Sequence, residues 1–514
     1  MGSQTFGAIY IGSYEVRLKI FELVSKKKIK AIDEIRSRVN LGNDAFTQGA
    51  IGYEIVDELC DVLKEFKSIM QSYQVNDYEV YASSVFRDIA NGIFLMNQIY
   101  LRTGLDVKLI SNSEHRFIGY KSVAGRQTFE DMIQTSAAVV DVGGASIQIT
   151  LFQDGRLQTT QYMELGTWRL AALLSHPGHT EQKYIQQMEE YLNEKFEVFR
   201  SLYLSGGVDY VIFMNDYGIE LARKINGEVS MDDQIAADKF QTYINGLLSK
   251  KLTEITSELN LSNDKDPLVL PSIVLFQTLV SQLNAKEIWF PETDVNDGIV
   301  YDYAQRNHLV KSTHDFDADV LSAARNLSEH YHSFSPHIEA LTRLSVKIFD
   351  TIKKVHGLEK RHKLLLQVAT ILHDCGKFVS LSNSSECAYQ IIMSSEIIGL
   401  THQEREIIAM TVCYHTLPLP EYEELADRLN KEEYVIVAKL TAILRVANAL
   451  DQSHRQKFEK MHISLKEREL LITVEAYEDI SLEQALFEAK TAYFEKVFSM
   501  KPVLKEKRVY RYDW

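Results

Sequence analysis

Proline and glycine are sparse in this chain, 8 and 24 in 514 residues. That scarcity excludes a collagen-like or low-complexity protein. Cysteine is scarcer still. Cys60, Cys375, Cys387 and Cys413 show neither Cys-x-x-Cys spacing nor the density of a disulfide scaffold, so they read as free thiols in a reducing compartment. No stretch reaches the roughly 18 apolar residues of a spanning helix. The polar start Met1–Phe6, with Lys19 breaking the next apolar run, carries no secretory pattern. The expectation is a cytoplasmic protein without membrane contact. Positive charge is also in deficit, 56 Lys plus Arg against 71 Asp plus Glu, a net −15. No broadly basic surface for nucleic acid is available, and a polyanionic ligand must rely on local basic patches.

What is present is ordinary globular material, 45% hydrophobic and 25% charged, long enough for three or four domains at roughly 150 residues each. The N-terminal part is mixed α/β. Phe6–Phe21 alternates with period two around a glycine, predicting two strands and a tight turn. Ile51–Tyr73 carries apolar residues at helical spacing, and Glu79–Ala82 reads as a short strand followed by a helix through Gln98. Ala8–Phe21 superposes without a gap on Val139–Phe152, each an apolar strand, a small-residue turn and an alternating strand. This repeat predicts a duplicated α/β unit with a cleft between its halves. After Tyr303 the texture turns helical over 318–460, with Arg306–Asp317 as linker, and strand alternation returns in 461–514. The expected domains are 1–130 and 131–305 as the two lobes, 318–460 as a helical module, and 461–514 as a small α+β unit.

Small residues in a turn let backbone amides approach a phosphate, and a carboxylate on the entering strand can hold hydrated Mg²⁺ against it. Asp141-Val-Gly-Gly-Ala-Ser146 fits that description. A tight hairpin closed by its Asp remains the structural alternative. In the first copy the equivalent residue is Tyr10, whose phenol cannot serve as a carboxylate.

The surrounding words resemble the exopolyphosphatase/guanosine-pentaphosphate phosphatase family almost end to end. They are Ala82-Ser-Ser-Val-Phe-Arg87-Asp-Ile-Ala-Asn91, Leu109-Ile-Ser-Asn-Ser-Glu114-His115, Glu164-Leu-Gly166-Thr-Trp-Arg169 and Asp297-Gly298. The resemblance implies duplicated actin-like (ribonuclease H-like) lobes, then an all-α HD-like domain and a small α+β terminal unit. It implies hydrolysis of the terminal phosphoanhydride of inorganic polyphosphate or pppGpp in the interlobe cleft, with Mg²⁺, by a homodimer. Carried across by motif, Gly12, Ser13, Arg87, Gly143, Gly144, Ala145 and Ser146 would bind phosphate, and Glu114, His115 and Asp141 would be catalytic. The chain departs from the family at Tyr10, Tyr14, Asn40, Ala145, Gln148 and Met214-Asn-Asp216, and His115 stands where the family has its base, a glutamate. A catalytically degenerate protein that binds polyphosphate or guanosine penta- or tetraphosphate is the alternative these departures raise.

In the helical module Leu372-His373-Asp374-Cys-Gly-Lys377 resembles the HD phosphohydrolase signature, with His337 upstream and His415 downstream, while Asn448 replaces the closing Asp. The resemblance implies a divalent metal at Asp141 and another at His337, His373 and Asp374, the latter opening a second alternative, a metal-dependent phosphohydrolase. Buried His and Asp bonded only to each other would look the same in sequence. The basic clusters at Lys26–Lys30, Lys250-Lys251, Lys353-Lys354, Lys360–Lys363 and Lys501–Arg511 would matter only as a continuous track; each alone reads as a solvated face.

Overall fold

The alternating segments form the strands that the repeat demands. The computed structural model describes residues 4–508 apart from 14, 25–27, 84–85, 87–88, 145, 175–179, 215, 228–232, 260–265, 312–313 and 477. Contacts divide the chain into two units, Met1–Asp315 and Phe316–Trp514.

In the first unit, β1 (Gln4–Ile11), β2 (Glu15–Val24), β3 (Lys28–Arg38), β4 (Asp77–Ala82) and β5 (Val107–Leu109) form a sheet of order β3-β2-β1-β4-β5. A second sheet contains β6 (Ser136–Val142), β7 (Ile147–Gln153), β8 (Arg156–Met163), β9 (Tyr210–Met214), β10 (Gln234–Ala236) and β11 (Glu287–Trp289), ordered β10-β11-β9-β6-β7-β8. Read from β8 inward, it repeats the first sheet: three antiparallel strands, then two parallel ones, with β10 added at the edge. The register repeats as well. Tyr10 faces Arg17 in one copy, and Asp141 faces Gln148 in the other. Gly12 N donates to Glu15 O at 2.9 Å, and Gly143 N to Ser146 O at 3.0 Å. Even the irregularity in the outer ladder recurs at the same place, after Ile20 and after Leu151.

Both faces of the first sheet are covered, which explains its apolar runs. Ile9, Ile11, Val16, Leu18 and Ile20 pack with Leu59, Leu63 and Phe66 of the helix Tyr53–Ser72. Phe6, Ala8 and Phe21 pack on the other side with Ile118, Ile299 and Val300. The last two residues correct the expected lobe boundary. The helix Val295–Arg306, placed by sequence within 131–305, returns to the first sheet and packs on β1, β2 and the helix Asn112–Ala124.

Two features fix this return. Lys19 Nζ lies 2.8 Å from Asp294 Oδ2 and 2.8 Å from Asp297 Oδ2, all three largely buried. Gly298 meets the backbone of the 112–124 helix so closely that a Cβ there would lie 2.0 Å from Ile118 O. Because the obstacle is backbone, Gly298→Ala must push the two helices apart. Overpacking of this kind costs about 1–3 kcal/mol, and at a backbone contact we expect the upper end, read as a drop in the midpoint of urea unfolding.

The second unit begins with helices including Ser335–Thr351, Lys360–Leu372, Ser384–Ser394, His402–Tyr414 and Lys431–Ala449. It ends with β12 (Phe458–Lys466), β13 (Glu469–Ala476), the helix Ser481–Phe498 and β14 (Lys501–Arg508), a sheet ordered β12-β13-β14. The 481–498 helix packs on the 431–449 helix, so the 318–460 and 461–514 segments share one unit. Among the described residues no helix is long and apolar enough to cross a membrane.

Candidate functional site

The second turn is held from behind. Thr167 N donates to Gly143 O at 3.1 Å, and Trp168 N to Gly144 O at 2.8 Å. In the first copy Gly42 N does the same to Ser13 O at 2.6 Å. The C=O and N–H of a trans peptide point in opposite directions, so tying back the Gly143 carbonyl turns the Gly144 amide away from the segment behind. Gly144 is required by the same packing, since a Cβ would stand 2.8 Å from Trp168 Cδ1.

On the open side, the 112–124 helix brings in two residues. Arg116 is 6% exposed. Its Nε lies 3.3 Å from Asp141 Oδ2, its Nη2 donates to Ser146 Oγ at 2.5 Å, and its Nη1 donates to Gln148 Oε1 at 3.3 Å. Tyr162 stacks under the guanidinium at 4.8 Å. His115 stands 5.3 Å, ring to ring, from Tyr10. Burial lowers the His115 pKa, with Asp141 opposing and Arg116 assisting, so the imidazole is neutral near pH 7. Burial and the charge of Asp141 raise the Tyr10 phenol well above its ordinary range. Glu114 is committed elsewhere: its Oε2 accepts from Ser111 N at 2.7 Å and closes a capping box. The capping role, not water activation, accounts for its position. Arg87 and Ala145 lie outside the described residues, as do Tyr14 and Asn215. Gly12, Ser13, Gly143, Gly144 and Ser146 all sit at the paired turns.

In the second unit, four histidines and an aspartate converge. His337 Nδ1 bonds Asp451 Oδ2 at 2.7 Å, His373 Nδ1 bonds Thr370 O at 2.7 Å, and His415 Nδ1 bonds Val412 O. Each bond fixes the tautomer that leaves Nε2 as a bare lone pair, the orientation a metal ligand needs. His337 Nε2 and His373 Nε2 are buried without a hydrogen-bond partner. Burial, with His415 and His337 beside it and Asp374 opposing, pushes His373 down to about 3, so it is neutral. His454, in a left-handed turn at φ 56°, stacks on His337 at 3.8 Å. Ligand atoms of His337, Asp374 and His454 lie within 4.8 Å of one another. Nitrogen and carboxylate donors with orphaned imidazole atoms fit a divalent transition metal. We therefore expect Zn²⁺ or Mn²⁺ at about a hundred times its Kd to raise the second unit's Tm by roughly 5–10 °C. His454→Ala should remove most of that shift, read by calorimetry.

The chain matches the Ppx/GppA phosphatase family over residues 20–307 and Ppx/GppA phosphatase domain III over residues 321–492. The chain belongs to the Ppx/GppA phosphatase family. It is 20% identical over 481 residues to a guanosine-5'-triphosphate,3'-diphosphate pyrophosphatase of Photobacterium profundum, covering 92% of each chain. Its fold is shared by the Ppx/GppA family member of Aquifex aeolicus, with 16% identity, 61% of this chain, all of that one and TM-score 0.51. It is likewise shared by an exopolyphosphatase of Cytophaga hutchinsonii, with 19% identity, 60% of this chain, 99% of that one and TM-score 0.51. The duplicated lobes are thus the actin-like α/β fold of the Ppx/GppA proteins.

Against that background, Arg116 is the residue that motif reading missed. Nothing in the sequence marks it, because its partners lie about 25–32 positions away. It also decides the fit for Mg²⁺ at Asp141. Among the described residues, the turn of this Ppx/GppA chain offers one carboxylate, already paired with a guanidinium, and a Gln148 amide oxygen that accepts from the same group. A hard dication seeks anionic oxygens and is repelled by a fixed cation at that distance. The residues present do not fit Mg²⁺. His454 was also missed, since it stands in a turn where no helical period points to it. Several cations of the basic clusters are paired: Arg361 with Glu404, Lys363 with Asp350, Lys250 with Glu258 and Lys507 with Glu475.

Proposed function

We propose that the first unit binds the terminal phosphate of inorganic polyphosphate or of guanosine pentaphosphate and hydrolyses its phosphoanhydride bond. The placing of His115 against Tyr10 of the first copy, within the field of Asp141, beside the Arg116–Asp141 pair at the second turn carries this reading. The names of the Photobacterium and Cytophaga relatives support the substrate class. In the proposed step, neutral His115 takes a proton from water as the oxygen attacks the terminal phosphorus. Asp141 stabilises the imidazolium that forms. The bond to the bridging oxygen breaks, and the chain one phosphate shorter leaves with the electron pair. Arg116 and the turn amides face the charge spread over the transferring phosphoryl group. The guanidinium takes the position of electrostatic counterweight, and no step passes through Mg²⁺.

The Arg116–Asp141 pair also favours a second reading, binding without turnover, because it spends the one carboxylate at the turn. Both are tested by incubating the purified chain with long-chain polyphosphate and with pppGpp, with EDTA and with Mg²⁺, and following binding and phosphate release. Release that survives EDTA supports hydrolysis as described. Binding alone selects the second reading, and failure to bind either ligand removes both.

A further inference from the structure

Next to the histidine cluster, the second unit contains a cavity of about 170 Å³. At about 30 Å³ per water, it has room for a tetrahedral oxyanion together with solvent. Its wall includes Lys377, Arg445 and Lys490, the hydroxyl residues Ser384 and Thr416, and Asp374. Three cations against one carboxylate leave two positive charges in excess. Lys377 Nζ already neutralises Asp374 Oδ2 at 2.7 Å. Arg445 is held by neutral groups: it donates to Tyr414 O at 3.0 and 2.6 Å and stacks on Tyr493 at 4.1 Å. Among the described residues its charge therefore has no counter-ion. Lys490 has no acidic partner among the described residues, and burial and the charge of Arg445 both depress its pKa. Two half-buried cations side by side without an anion are costly. The cost is removed when a dianion enters between them.

We propose that this cavity is a phosphate site, which accepts the phosphoryl end of a phosphate ester or phosphoanhydride beside the His337–His373–Asp374 cluster. Every residue of its lining belongs to the second unit. The 481–498 helix supplies Lys490, so the C-terminal segment completes a pocket begun by the His-Asp helices. The helix Ser384–Ser394 starts at the cavity wall, adding the positive end of its dipole. Arg445 offers planar donors, while the two lysines act as point charges that tolerate different anion orientations.

Calorimetric titration of the full chain with inorganic phosphate, in EDTA, tests this. The Arg116→Ala background isolates the second-unit site from the turn site. In that background phosphate still binds, Lys490→Met weakens it about tenfold or more, and Lys490→Arg restores it. Lys490→Met in the otherwise unchanged chain leaves turnover in the first unit intact. Equal phosphate affinity in the Arg116→Ala chain with and without Lys490→Met overturns the proposal, as does the absence of any binding there. If Lys490→Met does not fold, amine labelling of the unsubstituted chain decides: phosphate must slow modification of Lys490 severalfold, and unchanged labelling rejects the site. A failed turn site would appear separately, as a titration unaffected by Arg116→Ala.

Discussion

His115→Ala lowers kcat for phosphate release by about 10²- to 10⁴-fold, the usual contribution of a positioned general base, with KM for polyphosphate little changed. The reason is positional. Of the two adjacent candidates on the 112–124 helix, Glu114 is held in its capping box, while the His115 ring faces Tyr10 and the field of Asp141. The pH profile separates a base from a merely structural residue. Burial lowers the imidazole pKa below its ordinary value near 6.5. Activity should therefore be flat through neutrality and fall only on acidification through that lowered pKa. In His115→Ala the acid limb disappears with the rate. An unchanged kcat, or an acid limb that persists in the variant, would assign the base elsewhere. Arg116→Ala gives the complementary result. With the guanidinium gone, Asp141 is free to attract a dication, so residual turnover becomes Mg²⁺-dependent and EDTA-sensitive.

The second large effect is on folding. Lys19→Met removes the cation shared by Asp294 and Asp297 at the start of the 295–306 helix and leaves Arg17, 3.2 Å from Asp294 Oδ2, beside two buried carboxylates. Losing one member of a buried ionic group costs about 3–5 kcal/mol. The pH response identifies the cause. Burial and the charge of Asp294, against the pull of Lys19, raise the folded-state pKa of Asp297 to about 6. A carboxylate raised in the folded state contributes stability that is full below its unfolded value near 3.9 and is lost as pH rises through about 6. Without Lys19 that dependence steepens, so the variant should regain Tm between pH 7.5 and 5.5, well beyond the unsubstituted chain. Asp297→Asn in the Lys19→Met background should restore much of the loss at pH 7.5 in a double-mutant cycle. A deficit independent of pH would point to lost packing instead.

The sequence made the repeat visible because it is local: strand, turn and strand lie within fourteen residues, and Tyr10/Arg17 and Asp141/Gln148 then fall into equivalent registers. The glycine of Asp297-Gly298 was recognisable as a motif, but its reason was not, since the Ile118 carbonyl that excludes a side chain is 180 positions away. Still longer separations hid the Lys19 triad and the buried Asn296 side chain, which donates to Ala8 O at 2.8 Å. Asn91, quoted as part of a family word, proves to clamp both backbone groups of Ile51, at 3.1 and 2.8 Å. In the second unit the His-Asp helices were legible by period. Their completion by His454 and Lys490 was not, because neither a turn residue nor a half-buried lysine on another helix carries a local mark.

The returning 295–306 helix also sets an order of events on the ribosome. The core around Phe6, Ala8 and Phe21 cannot close until Ile299, Val300, Tyr303 and Ala304 have been made. The 173 residues from Gln134 to Arg306 must be translated first, which takes roughly 9–35 seconds at about 5–20 residues per second. During that interval β6–β11, contiguous from Ser136 to Trp289, can assemble, while one face of the earlier sheet still waits for its cover. The part of the unit that leaves the ribosome first is the last to be finished, and throughout that wait an apolar surface is open to chaperones.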